Sequence, residues 1–194
     1  MASKGENVNM AILRPLMILI LLTVMTGCSS GHQFSNVRPA DWQYVLDNGD
    51  EIKIVVFGEE EISDTYRIDS SGNVTLPFIG TVEARGLTTN QIANSIIQKL
   101  RQGYLNNPSV RVEVVAYRPF YVLGEVRAPG QYPYVENLTV LSAIATAGGF
   151  TYRAKTNTFR IVRRGKDGEP VEGEGQRDTV LYPGDIVYVK ERIF

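Results

Sequence analysis

Apolar and polar positions alternate with a period of two in several short runs, the pattern of half-buried strands. Ile52, Ile54 and Val56 share one face of the stretch from Gly49 to Gly58. Val74, Leu76 and Phe78 alternate with Asn73, Thr75 and Pro77; Val110, Val112 and Val114 alternate with Arg111 and Glu113. Phe159 and Ile161 fall on one face of Asn157 to Arg164. Pro77 has no N–H, so its strand lies at an edge or ends there. Two stretches switch to helical spacing. Ile92, Ile96, Ile97 and Leu100 follow Thr88-Thr89-Asn90-Gln91, a capping box in which the Thr88 hydroxyl and the Gln91 side chain satisfy free N–H groups reciprocally. Lys99 and Arg101 occupy the last turn, where the helix dipole favours cations, and Gly103 is the stop. Val140, Leu141, Ile144 and Ala147 follow a Thr139 cap and end at Gly148-Gly149.

The pattern predicts an α+β protein of two small β-rich domains, each a mixed or antiparallel sheet with one packed helix. Residues 42–117 form the first and 118–194 the second, with the boundary at Arg118-Pro119. Turn residues punctuate both. Asp69-Ser70-Ser71-Gly72 joins two strand-like runs, with Gly80 and Gly86 further on. In the second, Phe120 to Tyr132 reads as strand, Pro129-Gly130 turn, strand. Pro183-Gly184-Asp185-Ile186 echoes Gly49-Asp50-Glu51-Ile52, the same turn-into-strand solution used twice.

Before the first domain lies an address. Lys4, Glu6 and Arg14 precede an apolar run of eleven residues, Pro15 to Met25. A membrane-spanning helix needs about 20 apolar residues, whereas the core of a signal peptide needs roughly 7–15. Met25-Thr26-Gly27-Cys28-Ser29 then places small residues directly before the chain's single cysteine. This looks like a bacterial lipobox over a signal of residues 1–27, cleaved between Gly27 and Cys28, with Cys28 then acylated. Met10 offers a second, more compact start for that signal. Two or more acyl chains anchor stably, which one chain does not. Ser29 rather than Asp after the cysteine favours the outer membrane. Residues 28–41 are polar, contain His32 and Pro39, and read as a solvated tether.

Composition closes off other chemistry. With one Cys and one His the chain has neither an intramolecular disulfide nor the roughly four ligands of a Cys/His zinc site. A net charge of −1 leaves no electrostatic footprint for nucleic acid. Glu59, Glu60, Glu61 and Asp64 form a short acidic cluster, read as a solvated loop because hard-cation loops space their ligands alternately around a glycine turn. Arg163, Arg164 and Lys166 make a small basic group, read as a solvated hairpin tip with a phosphate or acidic-glycan contact as the alternative. The glycines from Gly165 to Gly175 lack the Gly-Lys-Ser/Thr ending of a phosphate-binding loop. Trp42 and Tyr44 are read as core or interface aromatics, with stacking on sugar rings as the alternative.

The ordered fragments resemble a known family. Tyr44, Leu46, Gly49, Asp50 and Ile52 come first, then Asp69, Gly72, Val74, Leu76, Pro77, Ile79 and Gly80. Ala84, Gly86, Leu87 and Thr88 follow, and Tyr104, Leu105, Pro108, Val110 and Val112 complete the set. Each fragment alone is weak; all of them in this order resemble the Wza-like outer-membrane polysaccharide export proteins. Gly124, Pro129, Gly130 and the Ala147-Gly148-Gly149 run resemble the small β-grasp module called SLBB that follows the export motif in that family.

The resemblance implies a structural conduit, not an enzyme: a periplasmic ring of about eight subunits, closed by heterologous contacts, through which a capsular polysaccharide or exopolysaccharide passes. It implies no catalytic residues, metal or cofactor. Its implied partners are an inner-membrane polysaccharide co-polymerase and the polymer in transit. The chain as given stops at Phe194, before the second SLBB module and amphipathic helix of long members. It is therefore expected to be a short member, with a separate outer-membrane β-barrel protein supplying the pore. Two other readings are a monomeric lipoprotein that binds a glycan or small ligand, and a glycan hydrolase. The hydrolase would need two carboxylates at a defined separation, and the acidic residues sit in turns or the acidic cluster.

Overall fold

The computed structural model describes residues 32–165 and 168–193. Among these the fold is α+β, built on two hydrophobic cores. The first core is covered by an antiparallel sheet of order β2-β1-β5, formed by β1 (Glu51–Val56), β2 (Glu59–Arg67) and β5 (Val110–Ala116). A hairpin of β3 (Asn73–Leu76) and β4 (Gly80–Glu83) and the helix α1 (Thr89–Arg101) close it. Alternation along β1 sends Ile52, Ile54 and Val56 inward, where they meet Ile92, Ile96 and Leu100 of α1 in one cluster. The capping box is present: the Gln91 N–H donates to Thr88 Oγ1 at 3.4 Å, and the Thr88 N–H to Gln91 Oε1 at 2.8 Å. Ile97 is only half-buried; Ala93 completes the buried face.

The second core lies under a five-stranded mixed sheet of order β7-β6-β10-β8-β9. Its strands are β6 (Phe120–Gly124), β7 (Gly130–Tyr132), β8 (Phe159–Arg164), β9 (Pro170–Gly175) and β10 (Ile186–Val189). β10 runs parallel to β6 and antiparallel to β8. The helix α2 (Val140–Thr146) buries Val140, Ala143 and Ile144 against Phe120, Phe159, Ile161 and Val187. Leu141, expected on its apolar face, is exposed, and Ala143 takes the inward position. At Gly124, with φ +85°, a Cβ would stand 2.1 Å from the carbonyl oxygen of Val189, so the β6–β10 pairing admits only glycine there.

Four readings of the sequence need correction. Glu59 to Glu61 are not a loop: they open β2, because Phe57-Gly58 makes so tight a turn that Glu59 already pairs with Val56. Phe78 does not continue the alternation of β3. It sits in the turn to β4 with φ +65° and is exposed. Arg163 is not at a solvated hairpin tip but is ion-paired with the buried Asp185; Lys166 lies outside the described residues. The described part of the expected tether is docked: Gln33 bridges Glu174 of β9 in parallel, and Phe34 packs on the second core. That hydrogen-bond geometry comes from backbone groups, which a polar, strand-poor composition does not advertise.

Candidate functional site at the junction of the two cores

The Gly49-Asp50 and Gly184-Asp185 turns form a matched pair. In each, glycine adopts positive φ (+88° and +85°) and the next residue is an aspartate buried completely. In each, the aspartate Oδ2 accepts the N–H three residues upstream at 2.8 Å, from Asp47 in one and Tyr182 in the other. In each, an arginine neutralises the carboxylate. Arg118 donates its backbone N–H to Asp50 Oδ1 at 2.8 Å and Nη1 to Oδ2 at 3.2 Å. Arg163 grips Asp185 two-pronged, Nε to Oδ1 at 2.9 Å and Nη2 to Oδ2 at 2.7 Å. A buried carboxylate needs this many donors, because an unpaired one costs far more than it returns.

The two turns flank the connection between the cores. Arg118 lies between them: a Cβ on Gly184 would fall 2.9 Å from Arg118 Nε, and the Gly184 N–H donates to the Pro119 carbonyl at 3.2 Å. Asp47, at the first turn, also takes Arg164 Nη1 of β8 at 3.3 Å. Aromatic rings line the same junction. Tyr44, Tyr117 and Tyr134 stand edge-to-face in series, with centroids 4.9 and 5.5 Å apart. Trp42 stacks on Tyr182 at 5.2 Å and 12°. The Arg38 guanidinium lies 4.1 Å over Trp42, and that of Arg163 lies 3.9 Å over Tyr182.

Burial sets the electrostatics. It raises the Asp185 carboxyl above its ordinary value despite the opposing Arg163. Burial also raises the phenols of Tyr44 and Tyr134, against the opposing charges of Arg118 and Arg38 respectively. Tyr117 is pushed up to about 12, first by burial and then by its hydrogen bond to Glu136. These groups are spent on one another, so the junction is chemically a clasp. It offers a substrate no activated nucleophile. Among the described residues no three or more His, Cys, Asp or Glu side chains are grouped to hold a metal ion, and no helix is long and apolar enough to cross a membrane. Beside the clasp an open groove of about 420 Å³ is lined by Gln43, Thr89, Asn90, Glu113 and Tyr117.

The motif residues singled out in the sequence are spread along both cores. Tyr44, Gly49 and Asp50 meet in the clasp. The Asp69 carboxylate accepts the N–H groups of Ser71 and Asn73 at 2.8 and 3.0 Å, closing the turn into β3. The Gly72 carbonyl accepts from Ala84 and Arg85, both at 2.9 Å, and Arg85 occupies the space a Gly72 side chain would need. Leu76 is core; Pro77 and Gly80 flank the β3–β4 turn, and Gly86 follows β4. Gly124 ends β6, Pro129-Gly130 leads into β7, and Gly148 and Gly149 terminate α2. Gly27 and Cys28 lie outside the described residues. Sequence reasoning missed Arg118, Arg163 and Tyr182 as clasp residues. The repeated Gly-Asp turn was the one signal that pointed towards them.

The fold is thus a β-rich module followed by a β-grasp-like module, joined by the clasp. Comparison with known families agrees. Residues 38–115 match the polysaccharide biosynthesis/export protein family, and residues 119–174 match the SLBB domain. The chain belongs to the polysaccharide export family, whose members are not enzymes. It is 40% identical over 129 residues to the exopolysaccharide production protein ExoF of Rhizobium meliloti, a match covering 66% of this chain and 28% of that protein. It is 29% identical over 124 residues to the polysialic acid transport protein KpsD of Escherichia coli, covering 63% of this chain and 22% of the other. It is 29% identical over 154 residues to the EPS I polysaccharide export outer membrane protein EpsA of Ralstonia nicotianae, covering 74% and 40%. The chain spans less than half the length of each of these relatives.

Proposed function

We propose that the chain is the periplasmic, lipid-anchored part of a conduit that exports a capsular polysaccharide or exopolysaccharide across the outer membrane. The observation that carries this reading is the order of the two matched domains in this chain, export module then SLBB module, beside its similarity to relatives named for polysaccharide production, transport and export. Subunits assemble head-to-tail into a closed ring of about eight, the arrangement that heterologous interfaces permit. The signal of residues 1–27 is removed, Cys28 is acylated, and the acyl chains hold the ring at the periplasmic face of the outer membrane. The polymer is handed over by an inner-membrane co-polymerase and leaves through a separate outer-membrane β-barrel protein.

The test is polysaccharide partition in a deletion strain complemented with the wild-type chain or with Cys28→Ser. Loss of surface polymer on deletion, restored by the wild type and not by Cys28→Ser, is the expected result. Normal surface polymer without the protein, in a strain with no second copy of the gene, would overturn the reading. The open groove beside the clasp favours one other reading, a monomeric lipoprotein that binds a glycan. Native mass of the lipidated protein separates the two, since a ring former is oligomeric.

A further inference from the structure

The amino-terminal arm is seated on β9 as an added strand. Phe34 N–H donates to the Glu174 carbonyl at 3.0 Å, and the Glu174 N–H donates to the His32 carbonyl at 2.8 Å, so both strands gain backbone pairing at an otherwise free sheet edge. The seat is shaped for this arm. At Gly173 a Cβ would stand 2.4 Å from the His32 carbonyl oxygen and 2.9 Å from the Phe34 ring. Arg163 lies 4.5 Å over Phe34. Asn36 closes the far end, donating Nδ2 to Asp178 at 2.9 Å and accepting the Thr179 hydroxyl at 2.8 Å.

We propose that this seat is the binding site that sets how far the protein stands from the bilayer, an inference that rests on the lipidation of Cys28. With the arm seated, four peptide steps separate Cys28 from His32, which span at most about 14 Å when fully extended. With the arm lifted off as far as Val37, the next fixed point is Arg38 on Trp42, ten steps from Cys28, and the reach grows to about 36 Å. The β9 edge is therefore held against the lipid surface. Its exposed Glu172 and Glu174 suit that position because Arg160 and Lys190 offset their charge facing an anionic membrane.

The experiment uses the mature lipidated protein in phosphatidylethanolamine/phosphatidylglycerol vesicles carrying a headgroup energy-transfer acceptor. A donor fluorophore sits at Glu172→Cys, and mass spectrometry confirms acylation of Cys28. The expected result is strong transfer in the parent, with loss of transfer in Gly173→Val, which blocks the seat, and in Phe34→Ala/Asn36→Ala, which leaves β9 intact. Both variants also lose hydrogen-exchange protection of the Glu174 amide. Unchanged transfer in both variants with acylation confirmed overturns the proposal and leaves the lipoprotein reading standing. Absence of acylation overturns both. A Gln33→Cys/Glu174→Cys pair closes within one chain; covalent oligomers instead would place the arm on a neighbouring copy and overturn the standoff role.

Discussion

Arg118 binds Asp50 twice, through its backbone N–H to Oδ1 and its guanidinium to Oδ2, across 68 positions of sequence. The contact ties the residue before β1 to the second residue past β5, where the chain leaves the first core for the second. Asp50→Asn keeps the shape and places an amide N–H₂ against at least one of the donors from Asp47, Tyr44 and Arg118. Breaking a buried pair of this kind costs about 3–5 kcal/mol. Chemical denaturation should show a loss of that order for Asp50→Asn. By contrast, Arg111→Ala removes the exposed pair with Glu113 and should cost less than about 1 kcal/mol.

Two glycines with the same φ should respond differently to alanine. Gly58 and Gly124 both have φ +85°, but a Cβ at Gly58 meets open space, while at Gly124 it meets the Val189 carbonyl. Gly58→Ala should cost only the left-handed backbone penalty, about 1–2 kcal/mol. Gly124→Ala adds a clash with backbone that cannot move without parting β6 from β10. Thermal unfolding of the two variants should show the larger drop for Gly124→Ala.

The tyrosines predict a fall in stability at alkaline pH. Tyr117 is raised from 10.0 to about 12 in the folded protein, and Tyr44 and Tyr134 are raised as well. A raised phenol holds its proton more tightly folded than unfolded. Its contribution is therefore complete below the unfolded value near 10 and declines as pH rises through that value towards the folded one. Denaturant midpoints should hold up to about pH 10 and fall from pH 10 to 12, and Tyr117→Phe should flatten that fall. Phenolate absorbance should rise late, together with unfolding.

Trp42, the chain's single tryptophan, stacks on Tyr182 and so reports on the clasp. Tyr182→Ala removes the ring beneath it and the ring under Arg163. Trp42 emission should shift to the red and acrylamide quenching should increase, while far-ultraviolet circular dichroism stays unchanged. No change in emission would show that Tyr182 does not shield the indole.

Much of the local structure was legible in the sequence because its signals are local. Ile52, Ile54 and Val56 alternate and are buried, Thr88 and Gln91 cap a helix, and Gly148-Gly149 ends another. The pairings that join distant residues were not. Nothing near Arg163 says that Asp185, 22 positions on, is its partner, so it read as a surface cation. Glu59 to Glu61 looked like a loop because their side chains are charged, yet strand pairing uses backbone groups that carry no such label. The arm is the same case: His32 and Phe34 bind through main-chain atoms to a seat whose mark in the sequence is Gly173. The echo of Gly49-Asp50 in Gly184-Asp185 was visible, whereas the burial of both carboxylates beside one connection needed the structure.

The strand order β7-β6-β10-β8-β9 places β10, the last strand among the described residues, in the middle of its sheet. Until Val187 and Val189 arrive, the β6–β7 and β8–β9 hairpins have no common partner, and Phe120 and Ile161 have no shared core to enter. Contacts of such long sequence separation form slowly, because the intervening loop must close first. The first core draws no apolar side chain from beyond Val114 and its buried Asp50 is paired by Arg118, so it can fold while the second waits for β10. Folding of the second core is then completed by β10, and a nascent chain stopped at Gly175 would hold one finished core and two unpaired hairpins.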